Sequence, residues 1–402
     1  MRALLLENIH DDAAFALRDA GFEVERLDRA LAEDELVARI QGVHVLGLRS
    51  NTHLTARALD AADDLLAVGA FCIGTNQIDL MAALTRGVAV FNAPFSNTRS
   101  VVELALSEII ALTRRLTDKN TDMHAGVWDK SAVGSHEVRG RKLGIVGYGN
   151  IGSQLSVLAE SLGMRVLFFD TADRLALGNA RRCGTLDELL AESDVVSLHV
   201  DGRSSNSDLF GEQQFARMRT GSLFLNLSRG FVVDHDSLRQ HILSGHLTGA
   251  AVDVFPVEPK AKGEEFVSVL RGLPNVILTP HVGGSTEEAQ QDIGHFVAGK
   301  LRDYVADGGT SLSVNLPPVT LPREVGRTRL LLLHVNTPGV LATVNGLLAE
   351  HGVNIEGQLL STRGTLGYVV TDVVTNIAGD PSTDVVEALR ALPETVRLRV
   401  LP

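Results

Sequence analysis

Three charged or titratable residues each follow an apolar run: Arg229 in "NLSRGFVVD", Glu258 in "VDVFPVEP" and His281 in "ILTPHVGGST". Each run predicts a strand, and ligands of open α/β sheets bind beyond the carboxyl ends of the strands. A histidine, with an ordinary pKa of about 6.5, can take the proton of an alcohol near neutral pH. A neighbouring carboxylate fixes its tautomer, and an arginine can hold a substrate carboxylate with two hydrogen bonds. These residue types together suit the oxidation of a hydroxy acid, which also needs a hydride acceptor.

A glycine motif upstream indicates what that acceptor is. In "KLGIVGYGNIGSQL", Gly147, Gly149 and Gly152 follow a predicted strand and open a predicted helix, and the next strand ends in Asp170. The first glycine permits a tight turn, the second lets the backbone approach a pyrophosphate, and the third lets helix and strand pack closely. Asp170 can accept hydrogen bonds from ribose hydroxyls and would repel a 2′-phosphate. The motif predicts NAD rather than NADP, the alternative being an ordinary strand–turn–helix without a ligand.

Bulk properties narrow the class of partner. The chain has 402 residues and a formal net charge of −12, so nucleic acid and membrane surfaces are poor partners and a small-molecule substrate is expected. The start, "MRALLLENIHDD", reads as a strand rather than a signal peptide, and a cytoplasmic location is expected. Cys72 and Cys183 have no metal-ligand spacing, so no metal site is predicted.

The order of strand and helix patterns predicts an α/β fold of two Rossmann-like doubly wound lobes plus a C-terminal ferredoxin-like βαββαβ module. The module should leave one sheet face open and therefore pair with a second copy of itself. A long helix, "SVVELALSEIIALTRRL", is expected to begin at Ser100 as N-cap with Glu103 completing a capping box. The predicted divisions are a substrate-binding domain of 1–96 and 284–316, an NAD-binding domain of 97–283, a Pro-containing linker of 317–326 and the module of 327–402.

The stretches "GYGNIG", "NLSRGFVVD", "AAVDVFPVEP" and "LTPHVGGSTEEAQ" resemble the D-2-hydroxyacid dehydrogenase family, and the C-terminal module resembles an ACT domain. The further stretches "GLRSNTHLT", "GAFCIGTNQIDL" and "FNAPFSNTRSVVEL" narrow the resemblance. They are similar to members that oxidise 3-phospho-D-glycerate to 3-phosphohydroxypyruvate with NAD, the first step of L-serine biosynthesis. That is the activity which the resemblance implies.

The resemblance also implies roles for residues. His281 would be the acid/base, Glu258 its partner, and Arg229 the anchor of the substrate carboxylate and carbonyl. Substrate would also meet Arg49, Ser50 and Asn97, and Lys130, beside Trp128, would reach the site of a neighbouring subunit in a homo-oligomer, expected to be a tetramer. The residues expected to line NAD are Gly147, Gly149, Asn150, Ile151, Gly152, Asp170, Leu227, Ser228, Asp253, Gly283 and Gly284.

Two departures from the family pattern leave the substrate open. Asn51 stands where relatives carry a second arginine after "RS", and Asp28 stands where a lysine is expected, flanked by Arg26 and Arg29. Both changes reduce the positive charge available to a phosphate. An unphosphorylated acid such as 2-hydroxyglutarate or glycerate is therefore an alternative substrate, and a non-enzymatic NAD-sensing binding protein is a third interpretation.

The stretch "HVNTPGVLATVNGLLAEHGVNI" matches an ACT signature. The resemblance implies an L-serine effector bound between two paired modules by His334, Asn336 and Asn354. Val335 replaces an expected polar residue, and the linker holds Gly326 where a pair of glycines is usual. A module that only dimerises is the alternative.

Overall fold

The computed structural model describes residues 1–259, 263–323, 326–375 and 383–402. The chain divides into two compact units. The first unit contains Met1–Pro94 and Gln291–Pro402, and the second contains Phe95–Gln290.

The first unit opens with a five-stranded parallel sheet in residues 1–94, all of which the structure describes. Its strand order is β2-β1-β3-β4-β5, the order of a doubly wound fold. Strands β3 and β4, "VLGL" and "AVGA", are buried throughout, as expected of parallel strands covered on both faces. The elements are β1 (Arg2–Leu5), α1 (Asp11–Asp19), β2 (Glu23–Arg26), α2 (Glu33–Arg39), β3 (Val45–Leu48), α3 (Ala56–Asp60), β4 (Ala67–Ala70), α4 (Leu80–Thr85) and β5 (Ala89–Asn92).

The second unit begins with two helices and then forms a seven-stranded parallel sheet within its described residues. The elements are α5 (Thr98–Arg114), α6 (Leu116–His124), β6 (Lys142–Val146), α7 (Asn150–Ser161), β7 (Arg165–Phe169), β8 (Arg181–Arg182), α8 (Leu186–Glu192), β9 (Val195–Leu198), α9 (Glu212–Arg217), β10 (Ser222–Asn226), α10 (His235–Leu243), β11 (Leu247–Val252) and β12 (Val276–Leu278). The strand order is β12-β11-β10-β9-β6-β7-β8, so the winding reverses between β6 and β9. Such a switch point is where open sheets of this kind bind a dinucleotide.

The C-terminal part of the chain continues with one long helix and an antiparallel module. Its elements are α11 (Glu287–Asp307), β13 (Thr328–Val335), α12 (Val340–Glu350), β14 (Val353–Arg363), β15 (Leu366–Thr375), α13 (Thr383–Arg390) and β16 (Thr395–Leu401). In the described part of residues 327–402 the strand order is β14-β15-β13-β16. This is the predicted βαββαβ arrangement. The predicted fold class, two doubly wound parallel sheets and a ferredoxin-like module, is therefore confirmed.

The expectation that the module leaves one sheet face open is wrong. Leu331, Leu333, Tyr368 and Val370 on that face are at most 3% exposed and share one apolar cluster with α1, α11 and the first sheet. The Tyr368 hydroxyl donates to the Gly308 carbonyl oxygen at 2.8 Å. The face is thus covered by the chain's own first unit, and the module joins that unit as a packed layer.

The long helix α5 also begins differently from the prediction. Its N-cap is Asn97 rather than Ser100, so the helix starts three residues earlier and no Ser100–Glu103 capping box forms. The Ser100 hydroxyl instead hydrogen-bonds the Thr286 hydroxyl at 2.8 Å, and Glu103 pairs with Arg99 one turn away. A tertiary contact has therefore replaced the local capping interaction that the spacing predicted.

None of the helices in the described ranges has both the length and the apolar character needed to cross a lipid bilayer.

Candidate active site

The structure brings His281 and Glu258 together in the second unit. His281 Nδ1 lies 2.9 Å from Glu258 Oε2, and the other carboxylate oxygen accepts the backbone N–H of Phe255 at 3.0 Å. His281 has a φ of +54°, an uncommon conformation for a residue with a side chain, and its N–H donates to the Asp253 carbonyl oxygen at 2.8 Å. Backbone strain of this kind persists where the surroundings hold it, often at functional sites. The imidazole is therefore held in place by both its backbone and its side chain.

The pair shifts both protonation equilibria. The hydrogen bond and charge of Glu258 raise the pKa of His281 above its ordinary value, against an opposing effect of burial. Burial alone would raise the pKa of Glu258, but the hydrogen bonds from His281 and the Phe255 N–H, with the positive charge of Arg229, lower it overall. The carboxylate thus stays ionised and favours a proton on the imidazole. A base with a raised pKa is well suited to accept an alcohol proton.

Arg229 is placed beside this pair by the glycine that follows it. A Cβ on Gly230 would lie 2.0 Å from the Phe255 carbonyl carbon, so only glycine lets these two backbone segments touch. The contact links the loop after β10 to the loop that carries Glu258. The Arg229 side chain donates to the Ser228 carbonyl oxygen at 2.7 Å, and its charge acts on both Glu258 and His281.

Asn226 was not singled out from the sequence, although it shapes the turn before Arg229. Its side-chain oxygen accepts from the N–H and the hydroxyl of Ser228 at 3.1 and 2.8 Å, and its amide nitrogen donates to the Arg229 carbonyl oxygen at 3.1 Å. The side chain is fully buried. An asparagine at a strand end, two residues before Ser228 and three before Arg229, is the signal that could have found it.

Asp253, predicted to line NAD, organises the loop of His281. One carboxylate oxygen accepts from the Thr279 hydroxyl at 2.6 Å and the Val282 N–H at 2.8 Å, and the other accepts from the Gly283 N–H at 2.9 Å. The side chain is only 2% exposed. Asp253 therefore fixes the loop on both sides of the histidine, and Thr279, which sequence reasoning missed, is part of that arrangement.

The three glycines of the motif have three different surroundings. Gly147 adopts a φ of +91°, and a Cβ there would lie 2.6 Å from the His199 carbonyl oxygen; a Cβ on Gly152 would lie 2.2 Å from the Gly147 carbonyl oxygen. A Cβ on Gly149 would meet nothing within 4 Å. Gly149 is the N-cap of α7 without a side-chain cap, and Asn150 and Ile151 form the first turn. The helix start thus keeps space and unpaired N–H groups for a phosphate.

A cavity of about 250 Å³ lies at the switch point of the second sheet, next to these glycines. Asp170 lines it, with its carboxylate accepting from the Tyr148 and Ala172 N–H groups, each at 2.8 Å, and with the Arg174 Nε 3.6 Å away. An uncapped helix start and a carboxylate held across a cavity fit the pyrophosphate and adenosine ribose of a dinucleotide.

A second cavity of about 570 Å³ adjoins the His281–Glu258 pair. Phe255, Phe266, Leu278 and Pro280 give it mainly apolar walls. An apolar neighbour disfavours charge, which is why burial opposes protonation of the imidazole.

The remaining predicted site residues are spread over both units. Asn97 has its amide group beside Gly284, where a Cβ would be 2.2 Å from the Asn97 Nδ2, and its Oδ1 is buried without a hydrogen-bond partner among the described residues. Leu227 is buried next to Ser228. Lys130 is exposed, with its ammonium 5.9 Å from the centre of the exposed Trp128 ring. Arg49 and Ser50 belong to the first unit, at the end of β3.

The arginines that flank Asp28 are both engaged with carboxylates of the first unit. Arg26 pairs with Asp11 and donates to the Ile9 carbonyl oxygen at 2.8 Å. Arg29 forms two hydrogen bonds to Glu35, at 2.6 and 2.9 Å. The lysine that is absent at Asp28 is therefore not replaced by an uncommitted guanidinium on either side.

The three predicted effector residues are not brought together within one module. His334 pairs with Gly367 on β15, whereas Asn354 pairs with Val374. These partners are seven positions apart on one strand, a separation of about 23 Å. His334 is buried, and its Nε2 has no partner among the described residues. Asn336 and Asn354 are exposed.

A dinucleotide cavity at a sheet switch point, with a histidine–carboxylate pair and an arginine at strand ends of the same sheet, defines an NAD-dependent dehydrogenase. Comparisons with known proteins agree with this class. Residues 106–283 match the family "D-isomer specific 2-hydroxyacid dehydrogenase, NAD binding domain", and residues 330–397 match "AHAS small subunit-like ACT domain".

Relatives that match over the full length are more specific. The chain is 52% identical over 402 residues to D-3-phosphoglycerate dehydrogenase of Haemophilus influenzae and 49% identical to the protein of that name from Escherichia coli K12. Each match covers 100% of this chain and 97% of the relative. The chain therefore belongs to the D-isomer-specific 2-hydroxyacid dehydrogenase family, in its D-3-phosphoglycerate dehydrogenase branch.

A solved structure supports the coenzyme. D-lactate dehydrogenase from Aquifex aeolicus, complexed with NAD and lactic acid, is 25% identical with a TM-score of 0.65, over 75% of this chain and 95% of that one. The resemblance inferred from the motifs is thus confirmed, as are the enzyme class and the NAD coenzyme.

Proposed function

We propose that this enzyme oxidises 3-phospho-D-glycerate to 3-phosphohydroxypyruvate with NAD, the first step of L-serine biosynthesis. The observation that carries the proposal is the 2.9 Å contact between His281 and Glu258, with Arg229 beside it, on a sheet built to hold a dinucleotide. The names of the full-length relatives supply the substrate.

The histidine is the proposed acid/base. Since the ionised Glu258 accepts a hydrogen bond, the imidazole carries its hydrogen on Nδ1 and leaves Nε2 free of a proton. Nε2 then takes the proton of the substrate hydroxyl while the C–H bond of the carbon that carries this hydroxyl breaks. NAD, when bound, supplies the acceptor for the hydride. The resulting imidazolium is stabilised by Glu258, and the same proton returns to the carbonyl oxygen in the reverse reaction.

Arg229 is the proposed anchor of the substrate. Its guanidinium can bind the carboxylate with two hydrogen bonds, which fixes the orientation of the neighbouring carbinol carbon. It can also stabilise the carbonyl oxygen as the ketone forms. Gly230 supports this role because it sets the arginine against the Glu258 loop. Asp253 supports the same geometry from the opposite side by holding the loop of His281.

The phosphate end of the substrate is assigned to Arg49 and Ser50, with Asn97 and a neighbouring subunit's Lys130 as further contacts. Asn51 and the two engaged arginines around Asp28 favour a second candidate, an unphosphorylated acid such as D-2-hydroxyglutarate or glycerate. Each of them leaves less positive charge for a phosphate than the family pattern provides.

Initial rates of NAD reduction with 3-phospho-D-glycerate, D-glycerate and D-2-hydroxyglutarate distinguish these substrates. A higher kcat/KM for the phosphorylated acid is expected. Arg49→Gln should reduce kcat/KM for 3-phospho-D-glycerate much more than for D-glycerate, because only the former carries the group that Arg49 would bind. A wild-type preference for an unphosphorylated acid contradicts the proposed substrate.

We also propose feedback inhibition by L-serine in a cytoplasmic homo-oligomer, a tetramer. The wide separation of His334 and Asn354 within one module supports an effector site completed by a second copy. A single module could bring only some of the three predicted residues, His334, Asn336 and Asn354, to one serine molecule. Rates measured with and without L-serine test this regulation, and a rate that serine leaves unchanged would leave the module with a dimerising role alone.

A further inference from the structure

Glu7 is a buried carboxylate at the carboxyl end of β1, in a place that no motif of the sequence marks. Glu7 is only 6% exposed. The neighbouring strand β3 ends directly before Arg49, and β1 and β3 pair in parallel, so their carboxyl ends lie side by side. Glu7 is therefore adjacent to the loop of residues 49–52.

Among the residues that the structure describes, the hydrogen bonds that the Glu7 carboxylate accepts all come from this loop. One oxygen accepts from the N–H groups of Arg49 at 3.1 Å and Thr52 at 2.8 Å, and the other accepts from the Asn51 N–H at 2.9 Å. No ion pair to Glu7 occurs within the described residues, so backbone N–H groups alone compensate its charge. A carboxylate needs such donors when it is withdrawn from water.

Gln77 holds the same loop from the opposite direction. Its side-chain nitrogen donates to the Arg49 carbonyl oxygen at 2.6 Å. The backbone of Arg49 is thus fixed at its N–H by Glu7 and at its carbonyl by Gln77. The arginine side chain, by contrast, makes no hydrogen bond or ion pair in the part of the chain that the structure describes.

The backbone at Glu7 is itself strained. Glu7 and Asn8 have φ values of +63° and +52°, two consecutive residues with side chains in the left-handed region. Their N–H groups donate to the carbonyl oxygens of Arg29 and Leu27, at 3.2 and 3.3 Å, which holds the turn in place. Conformations of this kind are unfavourable for residues with side chains and are concentrated at functional sites. The turn directs the glutamate side chain toward the loop.

We propose that Glu7 is a positioning residue for substrate recognition, which acts by presenting Arg49 and Ser50 to the phosphate group of the substrate. The proposal rests on the assignment of those two residues to the substrate. Because Glu7 occupies the N–H groups of Arg49, Asn51 and Thr52, these three groups are not available to an anion, and the loop would bind it chiefly through the side chains of Arg49 and Ser50. Glu7 contacts the loop only and takes no part in proton or hydride transfer.

The test is steady-state kinetics of Glu7→Gln and Glu7→Asp in the full-length enzyme. The glutamine places an amide group against N–H donors and should raise KM for the hydroxy acid by about tenfold or more, since small displacements of positioning groups are costly. The kcat and the dissociation constant of NADH should stay within twofold of the wild-type values. Glu7→Asp keeps the charge and should recover part of the loss.

Glu23→Gln is the matched control, because Glu23 is exposed in the same unit, and it should leave KM unchanged. An unchanged KM in a folded Glu7→Gln enzyme would overturn the proposal. So would equal losses in KM, kcat and NADH affinity, which indicate general damage. Each variant is compared with the wild type on 3-phospho-D-glycerate, which carries the phosphate assigned to Arg49 and Ser50, and the wild type is also assayed on the unphosphorylated acids. The wild-type preference thus tests the proposed substrate, while the ratio of variant to wild type tests Glu7.

Discussion

At the scale of single residues, the contact between His281 and Glu258 gives the enzyme a specific pH dependence. Oxidation needs the imidazole without its Nε2 proton, and Glu258 raises the pKa of His281. Activity in the oxidising direction should therefore be lost as pH falls through a value above the ordinary histidine pKa of about 6.5. Glu258→Gln removes the charge that favours the imidazolium. The acidic limb of kcat/KM for NAD reduction should then move to lower pH, with a reduced kcat at the plateau.

The matched control is Glu265→Gln. Glu265 is exposed, lies 3.8 Å from Arg271 and is not among the charges that shift the pKa of His281. Its substitution should leave the pH profile where the wild type has it. An acidic limb that stays in place in Glu258→Gln would show that the carboxylate does not set the protonation of His281.

A second residue-scale prediction concerns the ion pair of Arg329 and Asp372 in the C-terminal module. The two side chains are 1% and 4% exposed and are joined by hydrogen bonds of 2.6 and 2.7 Å. Asp372→Ala leaves a buried guanidinium without its counter-charge, which costs about 3–5 kcal/mol. The midpoint of thermal unfolding should fall clearly. Asp303→Ala, which breaks the exposed pair with Arg302, should change stability by only about 0–1 kcal/mol.

Residue types at strand ends were enough to predict His281, Glu258 and Arg229 as one cluster, because parallel strands bring their carboxyl ends to one edge. The partners of single charges were not predictable in this way. Arg26 and Arg29 looked available to a phosphate, yet Asp11 and Glu35 engage them. Glu7 looked like any polar residue after a strand. Its role depends on the neighbouring strand β3, which is distant in sequence.

At the scale of elements, the strand–turn–helix of β6 and α7 contains glycines with two different roles, one leaving space for a ligand and one allowing close packing. A Cβ at Gly149 would meet nothing, whereas a Cβ at Gly152 would lie 2.2 Å from the Gly147 carbonyl oxygen. Gly149→Ala should therefore keep the thermal stability of the enzyme and weaken NAD binding, because the methyl group occupies the space of the pyrophosphate. Gly152→Ala should lower stability by about 1–3 kcal/mol through overpacking.

Thermal unfolding and NADH titration of both variants measure the two effects. Gly299→Ala on α11 is a suitable control, since a Cβ there meets nothing and its φ is ordinary. It should leave both measurements close to those of the wild type. A Gly149→Ala enzyme that binds NADH normally would contradict the assignment of that helix start to the coenzyme.

The long regular elements were predictable because hydrophobic pattern and strand–helix alternation repeat over many residues. Element boundaries were less so. The N-cap of α5 is Asn97 rather than Ser100, and Ser100 instead bonds Thr286, a residue far along the chain. The short edge strand β8, two residues long with both exposed, has no apolar pattern to reveal it.

At the scale of the whole molecule, the opposite ends of β15 make the proposed serine site a property of two chains. Asn336→Ala and Asn354→Ala should each abolish inhibition. A mixed oligomer of the two variants should regain part of it, because each pair of modules that joins one copy of each variant holds one site in which both asparagines are intact. Serine inhibition of re-associated mixtures, against each variant alone, measures this. Mixtures that remain insensitive would place the effector within a single module.

The surface that covers the module's apolar sheet face could not be predicted from the sequence. The strand pattern "RLLLLHV" gives a face that must be covered, without saying by what. Either a second copy of the module or the chain's own first unit would bury the apolar residues of this face. Only the contacts of Leu331, Leu333 and Tyr368 with α11 and the first sheet decide between them.

This shared core bears on how such a chain can change in evolution. A domain on a free tether can be lost by an early stop codon, and the remaining enzyme then escapes its feedback control in one step. Here a stop codon near residue 326 would uncover Tyr304, Val305 and Leu316, which now lie in one apolar cluster with Leu331 and Val370. With this apolar surface exposed, the shortened protein would be prone to aggregation and poorly soluble. Escape from the proposed serine inhibition would then have to come through point changes at the proposed effector residues, with the whole chain retained.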